Sequence, residues 1–311
     1  MTKKSNLKGS LILCTAALLW GIAFAVQDSV AKFIPPFTFN CLRSIIGALF
    51  LFGFMGIKSI KDKDYVPVPK AMNKKLLLIG SILCGIALAI STNFQQFGIA
   101  AYPNGVPTAA RSGFITALYV IVVPILSVFV KKRVSIIVWL ACLVAVLGFY
   151  MLCLFEGVSG FYLADILVLG CTFTFSLHIM IIDKYCDAIG GVRLSAFQFV
   201  FAAIVSGALA IIFEFDLISL DGLKSAIPHI LYMGIVSSGI AYTLQIVGQK
   251  FAEPAIASLS MSLESVFAAL AGVVVGDLLK VNEIIGCALV FAAIVLAQIP
   301  EFIKGKKMHN A

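Results

Sequence analysis

Apolar runs of about 20 residues follow one another along almost the whole chain, separated by short polar punctuation. Lipid offers no partner for backbone N–H and C=O groups, so a chain of this pattern crosses a hydrocarbon core of roughly 30 Å as helices. Marked off in turn, the runs predict ten membrane-crossing helices near 9–32, 36–57, 75–101, 105–130, 134–155, 160–184, 193–214, 226–250, 254–276 and 281–302. Pro35-Pro36, Pro103-Asn104-Gly105, Gly157 to Gly160, Gly190-Gly191 and Glu253-Pro254 all fall between runs, where helix breakers belong. Only the connection from Lys58 to Lys74 is long, which leaves no room between spans for a separate soluble domain.

Composition agrees. Hydrophobic residues make up 61% and charged residues 12%, the latter about half the usual share of a soluble domain. A net charge of +8 raises the question of nucleic acid, but such a site needs Lys and Arg clustered on one folded face. Here they sit between apolar runs: Lys3, Lys4 and Lys8, then Lys58 to Lys75, Lys131 to Arg133, Lys184, Arg193, Lys250 and Lys304 to Lys307. Only Lys32, Lys224 and Lys280 fall on the other side. The positive-inside rule then places both termini in the cytoplasm and the chain in the cytoplasmic membrane. Eight cysteines are scattered without ligand spacing and read as small core residues. Lys3-Lys4, the following apolar run and Ala23-Phe24-Ala25 imitate a signal peptide, but cleavage would remove the first span, so the segment is read as a helix.

Five spans per half would insert two similar halves in opposite directions, the arrangement a carrier uses to expose one site to either side. The halves echo each other faintly, Asn93-Phe94-Gln95-Gln96-Phe97-Gly98 against Thr243-Leu244-Gln245-Ile246-Val247-Gly248, and Asp28 with Lys32 against Asp183 with Lys184. Leu18-Leu19-Trp20-Gly21-Ile22-Ala23-Phe24, Arg43, the run Ala109 to Tyr119 on to Pro124, Ser262 to Leu270, and Gly276-Asp277 occur in an order and spacing that resemble the EamA family of the drug/metabolite transporter superfamily. The resemblance implies an all-α membrane protein of ten transmembrane helices, an inverted five-plus-five repeat around a central cavity, with residues 1–157 and 158–311 as its halves. It also implies that helices 5 and 10 are peripheral, and that the cargo is an amino acid or related metabolite, exported. Ser265 stands where the family usually has Pro and Asp277 where it has Glu, and Phe175 is the nearest match in the second half to Trp20.

A charge near the bilayer centre costs about 3 kcal/mol or more, so an intramembrane ion faces a wet cavity, a partner or the cargo. Arg43, Arg111, His178 and Glu264 are such residues. Arg111 shares a polar stripe on the fourth span with Thr108, Ser112, Thr116 and Tyr119 and is read as a substrate ligand. Arg43 is read as structural or gating, snorkelling outward or pairing with Asp28 or a carbonyl. Further stripes carry Trp20, Phe24 and Gln27 beside Asp28, then Thr92, Asn93 and Gln96, then Ser238, Tyr242, Gln245 and Gln249. One such amide is usually helix glue; several stripes together predict a shared polar-aromatic cavity holding the substrate. Glu264 is a proton carrier or an ionic partner of Arg111, and His178 a proton relay or a hydrogen-bonded packing residue. Gly272 and Gly276 suggest a close helix contact, and Pro124 a bend in the fourth span, hinge or static kink.

Three histidines without HExxH spacing and no Gly-rich phosphate loop argue against an intramembrane enzyme, and no filter motif or Arg ladder points to a channel. No ATP-binding motif is present, so coupling would draw on an ion such as the proton or on the cargo's own gradient. The sequence therefore predicts an alternating-access secondary transporter without cofactor or metal, monomeric or homodimeric. Trp20, Phe24, Tyr119 and Tyr242 also suit a quaternary amine or nucleoside, while Arg111 argues for an acidic or zwitterionic group, which an amino acid combines.

Overall fold

The computed structural model describes residues 6–103, 106, 108–153, 162–274 and 281–309, and these are helical with no strand among them. In chain order the helices are α1 Asn6–Val30, α2 Pro36–Lys61, α3 Lys74–Ala101, α4 Thr108–Ala117, α5 Tyr119–Phe129, α6 Ile136–Cys153 and α7 Leu163–Ile189. There follow α8 Gly191–Phe213, a 3₁₀ turn Phe215–Leu217, α9 Leu220–Leu231, a π-helical stretch Tyr232–Ala241, α10 Tyr242–Gln249, α11 Pro254–Met261, α12 Glu264–Val274 and α13 Val281–His309. Among the described residues, seven stretches are long and apolar enough to cross a membrane: Leu7–Val30, Pro36–Lys61, Lys74–Ala101, Arg111–Phe129, Leu163–Ile189, Gly191–Phe213 and Leu220–Gln249. Three shorter apolar stretches accompany them, Ile136–Met151, Pro254–Leu270 and Ile284–Ile299.

Local chemistry sets the boundaries. Pro36 and Pro254 open α2 and α11 at a first-turn position, where the missing N–H is no loss. Asn73 caps α3 by accepting the Leu76 N–H at 3.1 Å. Between α7 and α8 the chain turns on Gly190 alone, whose φ of +91° excludes a side chain at little cost only for glycine. The expected breakers at Asn104-Gly105 and Gly157 to Gly160, and the Gly276-Asp277 exit, lie outside the described residues.

Helix α5 continues through Pro124, and the break in the fourth apolar run comes at Leu118, whose N–H bonds Ile115 O in a 3₁₀ step at 3.2 Å. The Val120 carbonyl that Pro124 deprives of a backbone donor receives the Cys142 thiol instead, at 3.2 Å. A second interruption separates α11 from α12 at Ser262-Leu263, where Ser262 Oγ donates to Leu259 O at 2.7 Å.

Buried side chains from α5, α6, α11 and α13 form one apolar core around Phe149 and Leu259, and those of α2, α3, α7 and α8 form another around Leu88 and Phe199. Helices α6 and α13 pack chiefly on each other, at the margin. Outward, Leu49 and Leu143 are nearly two-thirds exposed and Phe291 and Ile204 almost as much, a surface suited to hydrocarbon and not to water. The ends are tied by polar clasps. Lys132 pairs with Asp183. Arg193 at the start of α8 donates to the carbonyls of Val66, at 2.8 Å, and Pro67 in the long α2–α3 connection. At the opposite end of the bundle Glu214, just past α8, accepts the N–H groups of Phe37 (2.9 Å) and Thr38 (2.7 Å) and the Thr38 hydroxyl (2.8 Å). A carboxylate from another helix thus caps the exposed amides that begin α2.

Candidate functional site

The helices converge on a small cavity. Its wall draws on α1 (Trp20, Ala23, Phe24, Gln27), α2 (Arg43), α3 (Gln95), α4 and α5 (Thr116, Tyr119) and α7 (Phe175, Ile179). The π stretch and α10 give Met233, Ser237, Tyr242 and Gln245, and α11 and α12 give Met261 and Glu264. Both interrupted helices therefore reach it beside their breaks, and so does the π stretch, a helix form that recurs at functional sites.

The aromatic part of the wall is a cluster. Trp20 meets Tyr242 edge to face at 4.9 Å between ring centroids, and Phe199 backs Tyr242 at 5.6 Å. The polar part includes a guanidinium and a carboxyl. Arg43, only 3% exposed, donates from Nε to Ser238 Oγ at 3.2 Å, with its guanidinium 5.7 Å from the Phe39 ring. Glu264, 5% exposed, accepts the Tyr119 hydroxyl at Oε1, 3.0 Å. Gln95 Nε2 bonds Thr116 Oγ1 at 3.3 Å, linking α3 to α4. Buried in the same wall, Trp20 Nε1, Gln27 Oε1 and Gln245 Oε1 have no hydrogen-bond partner among the described residues. Such atoms cost free energy unless water or a ligand completes them, so the wall is built to receive polar groups.

Of the residues singled out from sequence, Trp20, Phe24, Gln27, Thr116, Tyr119, Tyr242, Gln245 and Glu264 lie together in this lining. Arg43, expected to be structural or to snorkel, lies there as well, buried and turned to Ser238. The remaining residues lie elsewhere. Asn93 donates to Ser206 at 2.9 Å and accepts from Asn40 at 3.0 Å, and Gln96 donates to the Gln27 carbonyl at 3.0 Å. Their arc of α3 faces α1, α2 and α8, so these amides hold helices together, and the neighbouring Gln95 is the one that reaches the cavity. His178, fully buried, bonds Gln198 at 2.9 Å behind Tyr242. Ser112, Asp28 and Pro124 are not in the wall.

Arg111 departs most from expectation. It clasps Asp165 on α7 through two bonds, Nε to Oδ1 at 2.7 Å and Nη2 to Oδ2 at 2.6 Å, the fork-to-carboxylate geometry of a strong ion pair. Asp165 also accepts the Tyr102 hydroxyl at 2.7 Å and the Tyr162 N–H at 2.8 Å, and the guanidinium lies 4.8 Å from the Tyr162 ring. This closed arrangement explains why Arg111 is neither in the cavity wall nor paired with Glu264 or Asp28. Sequence reasoning missed Asp165, Gln95, Ser237, Met233, Ile179 and Met261 as well. Asp165 alone carried a signal, as an acidic residue at the start of an apolar run.

Among the described residues no group of three or more His, Cys, Asp and Glu side chains could hold a metal ion. Cys14, Cys41, Cys84, Cys142 and Cys171 are free thiols.

Comparison with known proteins gives the site its context. A protein of Archaeoglobus fulgidus named an uncharacterized transporter is 29% identical over 301 residues, which is 94% of this chain and 87% of that protein. A protein of known crystal structure superposes with a TM-score of 0.73 at 19% identity, covering 94% of this chain and 96% of the other, which shows a shared fold. The model of the EamA-like transporter family matches residues 7–154 and again residues 162–298. With both matched stretches together spanning nearly all of it, the chain belongs to the EamA-like transporter family.

Proposed function

We propose that this membrane transporter is a secondary carrier that moves an amino acid or related zwitterion out of the cell by alternating access. The observation that carries this reading is the cavity itself, walled by residues from both matched stretches and bordered by two interrupted helices. Carriers commonly bind cargo where discontinuous helices of two repeats meet. We read the seven long and three short apolar stretches as ten crossings, grouped as residues 1–157 and 158–311 and inserted in opposite senses, with both termini cytoplasmic. The division of the family match into two stretches supports this grouping, as does the position of the interruptions, in the fourth and the ninth apolar run.

In this reading Trp20, Phe24, Gln27, Tyr119, Tyr242 and Gln245 contact the cargo directly. Asn93, Gln96 and Ser112 support that wall from behind, and Glu264 carries the coupling proton. His178 braces Tyr242, and the Arg111–Asp165 clasp joins α4 to α7 at one end of the path. Counterflow in proteoliposomes tests the proposal. Vesicles preloaded with single amino acids should transiently accumulate the same labelled amino acid for at least one compound, while empty vesicles and vesicles without protein should not. Absence of counterflow for every amino acid would overturn it.

A further inference from the structure

Among the described residues, Arg43 and Glu264 are the only ones in the cavity wall with an ionisable acid or base as side chain besides tyrosine. Neither takes part in an ion pair, with the other or with any other described residue. Arg43 uses Nε on the neutral Ser238 hydroxyl and also meets the Tyr242 hydroxyl, and among the described residues no carboxylate pairs with it. Glu264 engages Oε1 with Tyr119, and its second oxygen accepts no hydrogen bond among the described residues. A buried guanidinium and a buried carboxyl in one small space, neither of them ion-paired among the described residues, are balanced when a ligand brings an anionic group to one and a hydrogen-bond-donating cation to the other.

Which ligand charges fit follows from the donors and acceptors. A guanidinium fork matches a carboxylate or similar planar or tetrahedral anion. The orphaned acceptors are Gln27 Oε1 and Gln245 Oε1, 3% and 2% exposed, and the Glu264 carboxyl lines the same wall. Such acceptors reward a cation that donates N–H bonds. A quaternary ammonium has none to give and would leave them unsatisfied, so that only its attraction to the Trp20 and Tyr242 rings would remain. The rest of the wall, Phe24, Phe175, Met233 and Met261, is apolar and suits an aromatic or large aliphatic side chain.

We propose that Arg43 and Glu264 are the two charge-selecting groups of the cavity, so that the cargo carries an anionic group for Arg43 and an N–H-bearing ammonium for Glu264, and N-permethylated analogues are rejected. This rests on reading the cavity as the transport site. Each residue selects independently: removing Arg43 makes the site blind to the anionic group only, and removing Glu264 makes it blind to the ammonium only.

The test is equilibrium binding to the purified full-length protein of four compounds that share one phenyl group. They are L-phenylalanine, its trimethylated betaine, 2-phenylethylamine without the carboxylate, and 3-phenylpropionate without the ammonium. Wild type should bind L-phenylalanine at least about tenfold more tightly than each of the others, a margin of about 1.4 kcal/mol. Arg43→Gln should bind L-phenylalanine no better than 2-phenylethylamine, and Glu264→Gln should bind it no better than 3-phenylpropionate. Should Arg43→Gln fail to fold, Arg43→Lys keeps the charge without the fork and should weaken L-phenylalanine while leaving 2-phenylethylamine unchanged. Equal binding of the betaine, no binding of any of the four, or variants that keep the wild-type ranking would overturn the assignment. The assay reads binding alone, so a failure here leaves the transporter reading to counterflow, and a failure of counterflow with this ranking intact sinks that reading alone.

Discussion

The hydroxyl of Tyr119 donates to the carboxylate of Glu264 at 3.0 Å, joining the first residue of α5 to the first residue of α12. Each residue follows directly on a helix interruption, and both line the cavity. A buried hydrogen bond to a charged group is worth about 1.5–3 kcal/mol, so this contact fixes how the two broken helices meet. Tyr119→Phe keeps the ring and removes the bond. Transport should fall roughly tenfold with membrane yield unchanged, as read by initial rates of counterflow; a wild-type rate would contradict the role given to this contact.

Glu264 is the acidic group of the wall, and under proton coupling its protonation accompanies the transport cycle. Glu264→Gln fixes a neutral side chain of the same shape. Gradient-driven uptake should be lost while exchange at equal concentrations persists, and the pH dependence of the wild-type rate should flatten. A variant whose rate varies with pH as the wild type's does would contradict proton carriage by this residue.

The Arg111–Asp165 clasp predicts a stability effect where the polar stripe on the fourth span suggested a ligand. Breaking a buried pair on one side strands the other charge and costs about 3 kcal/mol. Arg111→Gln and Asp165→Asn should each lower the thermal midpoint of the purified protein markedly, and the double variant Arg111→Met with Asp165→Leu should recover most of the loss. If Arg111→Gln keeps the wild-type midpoint and loses binding, Arg111 contacts cargo after all.

Helices α3 and α8 approach closely because Gly85 has no side chain. A Cβ there would lie 2.5 Å from Phe201 Cβ and 2.7 Å from the Gln198 carbonyl oxygen, below any real contact distance. Small residues of this kind let membrane helices pack backbone to backbone. Gly85→Ala should push α3 and α8 apart and cost about 1–3 kcal/mol, the usual overpacking range, seen as a lower thermal midpoint. No change in midpoint would show that the pair can separate freely.

Much of the fold was legible in the sequence, and the reason is physical. Backbone satisfaction in hydrocarbon forces each apolar run into a helix, so run length and Pro or Gly punctuation locate α1, α2, α3, α7 and α8 within a few residues. The interruptions were not legible. Ala117-Leu118-Tyr119 and Met261-Ser262-Leu263-Glu264 contain neither Pro nor Gly, and the Pro that drew attention, Pro124, has its freed carbonyl rescued by Cys142 from a different helix. Helical periodicity names a face but not the neighbour that face meets. Tyr242 and Gln245 share a face that lines the cavity, whereas Asn93 and Gln96 share one that meets other helices, and the adjacent Gln95 turns inward. Arg111 was misjudged for the same reason, since its partner Asp165 lies 54 residues away. Arg43 shows the reverse, a residue read as structural or gating, snorkelling outward or paired with Asp28 or a carbonyl, that the packing of α2 against the π stretch turns inward to Ser238.

The claim on which all of this depends is that one cavity is exposed in turn to both sides of the membrane. Cysteine accessibility at Ser237 tests it without knowledge of the cargo, because Ser237 is nearly fully buried, lines the cavity and differs from cysteine by one atom. In a background with the native cysteines replaced, Ser237→Cys would be treated with a membrane-impermeant maleimide in right-side-out and in inside-out vesicles. Alternating access predicts labelling in both orientations, slowed in each by cargo. Labelling from one side only, or from neither, would contradict it.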